Sequence, residues 1–227
     1  MMRGIIFGGA VAALMMGSVA SAQETGSLIK RKPAQIDSRS KDAARQTLEV
    51  FATCIVERQA GRAAKLADMR VDTPEYLKQL NGLSDFYDDC ISSGRFEYGY
   101  SLLRGAIFQA LYRREFKLNG PLTFDPMLDS AYAKIYPEPY SPEAQSSIAQ
   151  VKFGECVSRS DAANVRGFIS APPGSALETS SVQALAPKLG PCVAQGNQIK
   201  FNKTVLKGML AEGLYRLSIA SKAGVVK

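Results

Sequence analysis

The sequence of 227 residues contains no histidine and no tryptophan, and it has only four cysteines. The missing histidine excludes Ser-His-Asp and Cys-His catalysis, histidine-based proton transfer, and the usual zinc and non-haem iron sites. The sequence also lacks the glycine-rich loops G-x-x-x-x-G-K-[ST] and G-x-G-x-x-G that hold nucleotide phosphates. We therefore expect no cofactor, no metal site and no catalytic residue.

Long hydrophobic runs are missing as well. The segment Ile5 to Met16 carries no charge, but a membrane-spanning helix needs about 20 apolar residues. With Arg3 before it and Ala20-Ser21-Ala22 after it, this segment matches a signal peptide that is cleaved near Ala22. We expect the mature protein to be periplasmic or secreted, with no transmembrane segment.

Four cysteines in an exported chain indicate two disulfides, for which three pairings are possible. The intervals Cys54 to Cys90 and Cys156 to Cys192 are both 36 residues, and F-A-T-C-I around Cys54 resembles F-G-E-C-V around Cys156. Each pair therefore belongs to one of two similar segments. We predict the disulfides Cys54–Cys90 and Cys156–Cys192.

A second similarity follows each cysteine pair. The block L-R-G-A-I-F-Q-A-L-Y-R begins at Leu103, and L-K-G-M-L-A-E-G-L-Y-R begins at Leu206. The offset between the copies rises from 102 at the cysteines (156 − 54) to 103 in this block (206 − 103), so one inserted residue separates them. Similarity at a fixed spacing indicates internal duplication.

Helical spacing of apolar residues predicts an all-α fold, with a three-helix unit duplicated in tandem and packed as a six-helix, pseudo-twofold bundle. The predicted segments are a signal peptide (1–22), a flexible basic arm (23–39), helical repeat 1 (40–116), a Pro/Tyr-rich connector (117–142), helical repeat 2 (143–221) and a frayed tail (222–227). The alternating residues 96–98 and 199–201 could add a very short two-stranded ribbon.

Local signals place several helix ends. Thr73, followed by Pro74, and Ser175 are predicted N-caps, and Ser175 with Glu178 forms a predicted capping box. In the second copy, Pro187 and Pro191 should end the helix near Ala186, since each proline removes a helical hydrogen bond.

Glycine recurs inside the third helix of each copy, at Gly105 and Gly208. Glycine weakens a helix interior by about 1 kcal/mol relative to alanine. We therefore expect a neighbouring helix to approach too closely there for a side chain.

The formal charge of +7 is concentrated in residues 23–45 and 142–227. A basic exported protein could bind an envelope protein or an anionic cell-wall component, although the charge could also serve solubility alone. No basic run interleaved with aromatics suggests nucleic acid. Oligomeric state is not predicted.

The best candidates for ligand binding are the repeated pairs Tyr112-Arg113 and Tyr215-Arg216. Together they could bind a carboxylate or a sugar. Alternatively, each tyrosine packs in the core while each arginine bonds carbonyls at a helix C-terminus. We interpret Asp85, Asp88 and Asp89 as a solvated acidic face.

These features favour a non-catalytic interaction or envelope-associated protein of unknown ligand. Two alternatives remain open: a histidine-free enzyme that uses carboxylates or Arg/Tyr, and a small-ligand carrier with a cavity between the repeats. An enzyme predicts a pocket that holds a carboxyl group of raised pKa. A carrier predicts a cavity of several hundred Å³, and an interaction protein an exposed apolar patch.

Overall fold

A computed structural model describes residues 38–84, 90, 98–117, 119–193 and 202–225. All regular elements in these ranges are helical, which confirms the all-α class. The predicted signal peptide, most of the predicted arm, the predicted ribbon (apart from Tyr98) and Asp85, Asp88 and Asp89 lie outside the described ranges. The helices are α1 (Ser38–Lys65), α2 (Pro74–Ser84), α3 (Tyr100–Phe116), α4 (Pro142–Ser170), α5 (Ala176–Leu189) and α6 (Lys203–Val225).

Hydroxyl caps begin three of these helices. The Oγ1 of Thr73 accepts the Tyr76 N–H at 3.3 Å before α2, and the Oγ of Ser175 accepts the Glu178 N–H at 3.1 Å before α5. Both predicted N-caps are therefore confirmed. Ser141 caps α4 in the same way, and Pro142 follows it at a position where a missing N–H costs nothing.

Two helix ends differ from the prediction. Helix α5 continues past Ala186 through Pro187 to Leu189, and only then gives way to a 3₁₀ turn, Gly190–Cys192. Pro187 lies so near the C-terminus, on an exposed face, that its missing N–H interrupts the ladder only at its last turn. Helix α6 extends to Val225, so residues 222–225 of the predicted tail are helical. Lys222 is tied there to Glu115 of α3, with 2.6 Å between Nζ and Oε1.

Helices α1 and α4 are each interrupted once by a non-helical residue. The residue is Gln59 in α1 (φ −138°, ψ 48°) and Asp161 in α4 (φ −162°, ψ 71°). The two positions are 102 residues apart (161 − 59), which is the offset between the sequence copies. Nothing in the sequence had indicated these interruptions.

The helices pack in a connected series. Helix α1 packs on α3, α3 on α6 and α6 on α4, while α2 lies against α1 and α5 against α4. One continuous apolar core joins them, and its largest buried side chains include Phe51, Phe108 and Phe168.

Helices α3 and α6 cross at the two glycines. A Cβ on Gly105 would lie 2.6 Å from the Gly208 Cα, and a Cβ on Gly208 would lie 2.8 Å from the Gly105 Cα. The predicted close approach of a neighbouring helix is therefore confirmed, and the neighbour of each glycine is the other one.

The segment between α3 and α4 packs along α4. Tyr132 and Tyr136 form a small second core with Ile148 and Val151. Arg159 of α4 donates to the carbonyls of Asp125 and Leu128 in the segment. Only residues Tyr132–Ile135 form a 3₁₀ turn there.

Each disulfide joins a cysteine within a long helix to a cysteine that follows the next helix. The structure links Cys54 of α1 to Cys90, and Cys156 of α4 to Cys192 after α5. These are the two pairs expected from the equal intervals. Within the described ranges, no helix combines the length and the apolar character that crossing a membrane requires.

Candidate functional site

The predicted Tyr-Arg pairs do not meet in one pocket. Tyr112 and Tyr215 are buried in the core. Arg113 donates to the Ile169 carbonyl at 2.7 Å, and Arg216 donates to the Ala67 carbonyl at 2.6 Å. The two arginines therefore bond carbonyls of different segments, Ile169 in the last turn of α4 and Ala67 in the 3₁₀ turn after α1.

Arg216 also belongs to a buried ionic triad between α3 and α6. The carboxylate of Glu212 accepts from Arg104 Nε at 2.8 Å and Arg104 Nη2 at 2.6 Å. The same carboxylate accepts from Arg216 Nε at 2.9 Å. Each of the three side chains is less than 10% exposed. Paired donors of this kind hold a carboxylate in a fixed orientation.

Aromatic rings enclose the triad. The Arg104 guanidinium lies 5.2 Å from the Tyr76 ring centre and 4.9 Å from that of Phe108, and the Arg216 guanidinium lies 4.0 Å from that of Tyr132. These are cation–π distances. The Tyr132 hydroxyl is in turn bonded to Ser147 at 2.7 Å, so the tyrosine ring is fixed against α4.

The triad has a net charge of +1, because it contains two guanidinium groups and one carboxylate. Burial alone would raise the pKa of Glu212, but Arg104 and Arg216 hold that pKa below its ordinary value, so the group is ionised. Burial would lower the pKa of Arg104, yet Glu212 raises it, so this group is charged too. Two guanidinium groups thus share one carboxylate. Among the described residues, Nη1 of Arg104 is buried and has no hydrogen-bond partner.

A second buried carboxyl group, that of Glu155, lies near the triad and interacts with Arg216. Burial raises the pKa of Glu155, and Arg159 and Arg216 oppose the shift. The raised pKa means that Glu155 resists ionisation more than an ordinary carboxyl group. No part of it lines the cleft described next.

An open cleft of about 490 Å³ lies over Arg104 and Glu212. Leu77 and Tyr100, which are 40% and 51% exposed, form apolar walls. The remaining lining residues belong to α2, α3, α4 and the turn before α2: Val71, Tyr76, Ser101, Pro142, Glu143, Ser146, Ser147 and Gln150. A smaller cavity of about 50 Å³ shares Ser101, Arg104, Gln150 and Glu212 with it.

A second ionic cluster surrounds Lys207 of α6, which stands 103 residues after Arg104. Lys207 Nζ donates to Glu49 Oε1 at 2.7 Å and to the Ala171 carbonyl at 2.6 Å, and it lies 3.4 Å from Glu178 Oε1. Glu178 also accepts from both terminal nitrogens of Arg45. This cation therefore contacts two carboxylates, each of which also bonds an arginine.

The two clusters differ at matching positions. Glu178 occupies the position 102 residues after Tyr76, and Ser147 stands 102 residues after Arg45. Where Tyr76 and Ser147 line the open cleft, Glu178 and Arg45 form an ion pair. The cavity of about 10 Å³ beside Arg45 and Lys207 matches the cavity of about 50 Å³ beside Arg104, since Glu49 and Gln109 in its lining correspond to Val151 and Glu212. Positions that form an ion pair beside Lys207 thus line an open cleft beside Arg104.

The buried charges of the second cluster are balanced. Arg45 contacts Glu178 and Asp42, Arg113 contacts Glu49 at 3.2 Å, and Lys203 lies 3.6 Å from Glu178. Burial alone would raise the pKa of Glu178, but Arg45, the Gly174 N–H and Lys207 lower it. Burial lowers the pKa of Lys207, although Glu49 and Glu178 oppose this shift. The two most buried cations, Arg45 and Lys207, therefore face the two most buried carboxylates, Glu49 and Glu178, while Arg113, Lys203 and Asp42 lie at the more exposed rim of the cluster.

Sequence reasoning missed Arg104, although a signal for it was present. Arg104 and Lys207 occupy the same place in the repeated block, L-R-G-A and L-K-G-M, beside the glycines of the helix crossing. A basic residue repeated next to a close helix contact must be buried near that contact. The sharing of one carboxylate between Arg104 and Arg216 could not be predicted, because that carboxylate, Glu212, comes from the other of the two similar blocks.

Comparison of the chain with protein-family models, with curated proteins and with solved structures finds no match.

Proposed function

We propose that the chain is an exported, non-catalytic binding protein, made of two copies of a three-helix unit, that holds a ligand in the cleft beside Arg104. The proposal has three parts: the duplication, the cleft as the binding site, and the compartment.

Reciprocal contacts support the duplication. Arg113 and Arg216 are 103 residues apart, and the carbonyls that they contact, those of Ile169 and Ala67, are 102 residues apart. Each arginine therefore binds the opposite copy at a matching position, and the contact between Gly105 and Gly208 pairs matching positions too. Such exchange is characteristic of a twofold axis, which here would pass between α3 and α6.

The observation that carries the binding proposal is the difference between the two sets of matching positions. The positions beside Lys207 form a balanced set of buried ion pairs, whereas those beside Arg104 line an open cleft of about 490 Å³ over an excess positive charge. Clefts of 300–1,000 Å³ with apolar walls and a few polar groups are typical of small-ligand sites. The open cleft therefore favours the small-ligand form of the proposal over a flat protein-binding surface.

The enzyme alternative has less support. An acid catalyst in the cleft would need a carboxyl group of raised pKa, whereas the buried cleft carboxylate, Glu212, has a lowered pKa and is held by two arginines. Glu155, whose pKa is raised, does not line the cleft.

The two disulfides support export, because such bonds persist in oxidising compartments. Together with the predicted signal peptide, they support a function in the periplasm or outside the cell. The proposed ligand is then a small molecule of that compartment or an exposed group of an envelope component.

Blocking the cleft tests the binding proposal. Ser146→Trp would place a large ring in the cleft, while Ser180→Trp puts the same ring on an exposed position of α5 away from it. We expect the low-molecular-mass fraction of an envelope extract to raise the melting temperature of the parent protein and of Ser180→Trp, because a ligand that binds only the folded state stabilises it. Ser146→Trp should show no shift. An equal shift in both variants would contradict a site in this cleft.

A further inference from the structure

We infer that the group bound at the floor of the cleft is a single carboxylate, held by Arg104, on a molecule with an apolar or aromatic body. The inference rests on the proposed function, because it assumes that the cleft holds a ligand. It adds the chemical class of that ligand and the residue that selects it.

The charge balance of the triad is the first step. Arg104 is about 90% buried, and it shares the carboxylate of Glu212 with Arg216. A buried cation without its own counter-charge is costly. Nη1 of Arg104 is buried and has no partner among the described residues, so the guanidinium that lines the cleft keeps one unsatisfied donor.

The Lys207 cluster provides an internal example of what satisfies such a position. There the carboxylate of Glu178, at the position that matches Tyr76, lies 3.4 Å from Lys207 Nζ. In the open cleft the matching residue is a tyrosine, which has no charge, and the matching partner of Glu49 is Val151, which has none either. A ligand carboxylate in the cleft would supply the charge that Glu178 supplies in the other cluster.

The size of the uncompensated charge selects a monoanion. The triad lacks no more than one negative charge, because any ionisation of the nearby Glu155 offsets part of the excess, whereas a phosphate monoester carries about −1.5 to −2 at neutral pH. Glu143, exposed in the cleft lining, disfavours any further negative charge on the ligand. The walls formed by Leu77 and Tyr100, with the Tyr76 ring behind them, fit an apolar or aromatic body.

Matched probes test the charge requirement. We would titrate the parent protein at pH 7 with acetate, phenylacetate and octanoate, with phenylacetamide and octanamide as neutral counterparts, and with phenyl phosphate as the dianion, and follow binding by protein NMR. We expect phenylacetate and octanoate to bind at least roughly tenfold more tightly than their amides, since a hydrogen bond to a charged group is lost in the amide. Acetate, which has no body for the apolar walls, should bind most weakly of the acids, and phenyl phosphate more weakly than phenylacetate.

Two variants of Tyr76 separate the charge from the shape of the site. Tyr76→Glu places a carboxylate where Glu178 stands in the other cluster, so it should neutralise Arg104 internally and abolish acid binding. Tyr76→Gln removes the same ring without adding charge. It should weaken the binding of acids and amides alike, because the ring belongs to the lining, but it should keep the preference for the acid that Tyr76→Glu loses.

Arg104→Gln is an independent variant. It leaves the pair of Glu212 with Arg216 intact, so we expect it to fold whether or not the Tyr76 variants fold. It should lose the preference of the site for acids over amides, and Arg104→Lys should recover part of that preference.

The outcomes distinguish this inference from the proposed function. If acids and amides bind equally, and Ser146→Trp weakens both, the cleft is a binding site but the carboxylate inference is wrong. The inference is equally overturned if no acid binds, or if Tyr76→Glu and Tyr76→Gln show the same preference for phenylacetate over phenylacetamide. A failure of the proposed function itself would instead appear as a ligand-induced shift that Ser146→Trp leaves unchanged.

Discussion

Glu178 is the side chain on which most of the second ionic cluster depends. Its carboxylate is fully buried and accepts hydrogen bonds from Arg45 and from the Gly174 N–H at 3.1 Å. It also lies 3.4 Å from Lys207 Nζ. The predicted capping box is therefore only half formed, because the Ser175 hydroxyl caps the helix but the carboxylate reaches Gly174 and Arg45 instead of the Ser175 N–H. A tertiary ion pair has replaced a local one.

Glu178→Gln should lower the free energy of unfolding by about 3–5 kcal/mol at pH 7, because it leaves Arg45 and Lys207 buried without their shared carboxylate. The folded pKa of Glu178 lies below its ordinary value, and the unfolded value is about 4.3. The stability that this carboxylate contributes is thus fully present above about pH 5 and is lost as the pH falls through the folded pKa. Urea unfolding at pH 7 and pH 3 should show the difference between the parent and the variant shrinking at the lower pH.

Glu75→Gln is the matched control, since Glu75 is exposed in the first turn of α2. It should change the free energy of unfolding by no more than about 1 kcal/mol. A difference between Glu178→Gln and the parent that stays the same at pH 3 would mean that Glu178 is not ionised in the folded protein.

At the scale of helices, the crossing of α3 and α6 sets a limit on side-chain size. Gly105→Ala should destabilise the protein by about 1–3 kcal/mol, because its Cβ would meet the Gly208 backbone at 2.6 Å and force the helices apart. The cost of the steric overlap should exceed the gain of about 1 kcal/mol that alanine brings to a helix interior, so the net effect is a loss of stability. Chemical denaturation of the purified variant measures the net change.

Gly61→Ala in α1 isolates the helix-propensity effect, because no atom lies within 4 Å of the added Cβ. It should stabilise the protein by up to about 1 kcal/mol. If Gly105→Ala stabilised the protein as much as Gly61→Ala, the close approach of α3 and α6 would be wrong.

The sequence allowed prediction of those helix features that have local causes. Thr73 and Ser175 could be identified as caps because a hydroxyl before a helical pattern has a local partner. The interruptions at Gln59 and Asp161 could not be predicted, because neither residue is a helix breaker and both interruptions lie within otherwise regular helices. Pro187 was given too much weight, since a proline two residues from a helix end disrupts little.

At the scale of the whole molecule, the equal cysteine intervals predicted the disulfides and the helical spacing of apolar residues predicted the all-α fold, but neither predicted the site. The candidate site depends on differences between matching positions, namely Tyr76 opposite Glu178 and Ser147 opposite Arg45. Such differences have meaning only when the helices are assembled, because Arg104 and Glu212 are 108 residues apart in the chain and meet across α3 and α6. The repeated Tyr-Arg pairs are a feature that the two similar segments share, whereas the cleft lies where these segments differ.

The two disulfides close loops of equal sequence separation, 36 residues each. On the chain-entropy model each bond should therefore contribute about 3–4 kcal/mol by restricting the unfolded chain. We expect the double variants Cys54→Ala/Cys90→Ala and Cys156→Ala/Cys192→Ala to lose similar amounts in urea unfolding. Each variant should keep its remaining bond, as peptide mapping without reductant would show.

Reduction of the parent protein provides the control for these variants, because it removes both constraints without changing any side chain. Its loss should be close to the sum of the two double variants, provided that the bonds restrict separate stretches of the unfolded chain. Two bonds that crossed between the halves would enclose overlapping loops, and the removal of one would then change the value of the other. Two results would therefore contradict separate closure of the two halves. One is a sum that clearly departs from additivity. The other is a mapped peptide that joins Cys54 or Cys90 to Cys156 or Cys192.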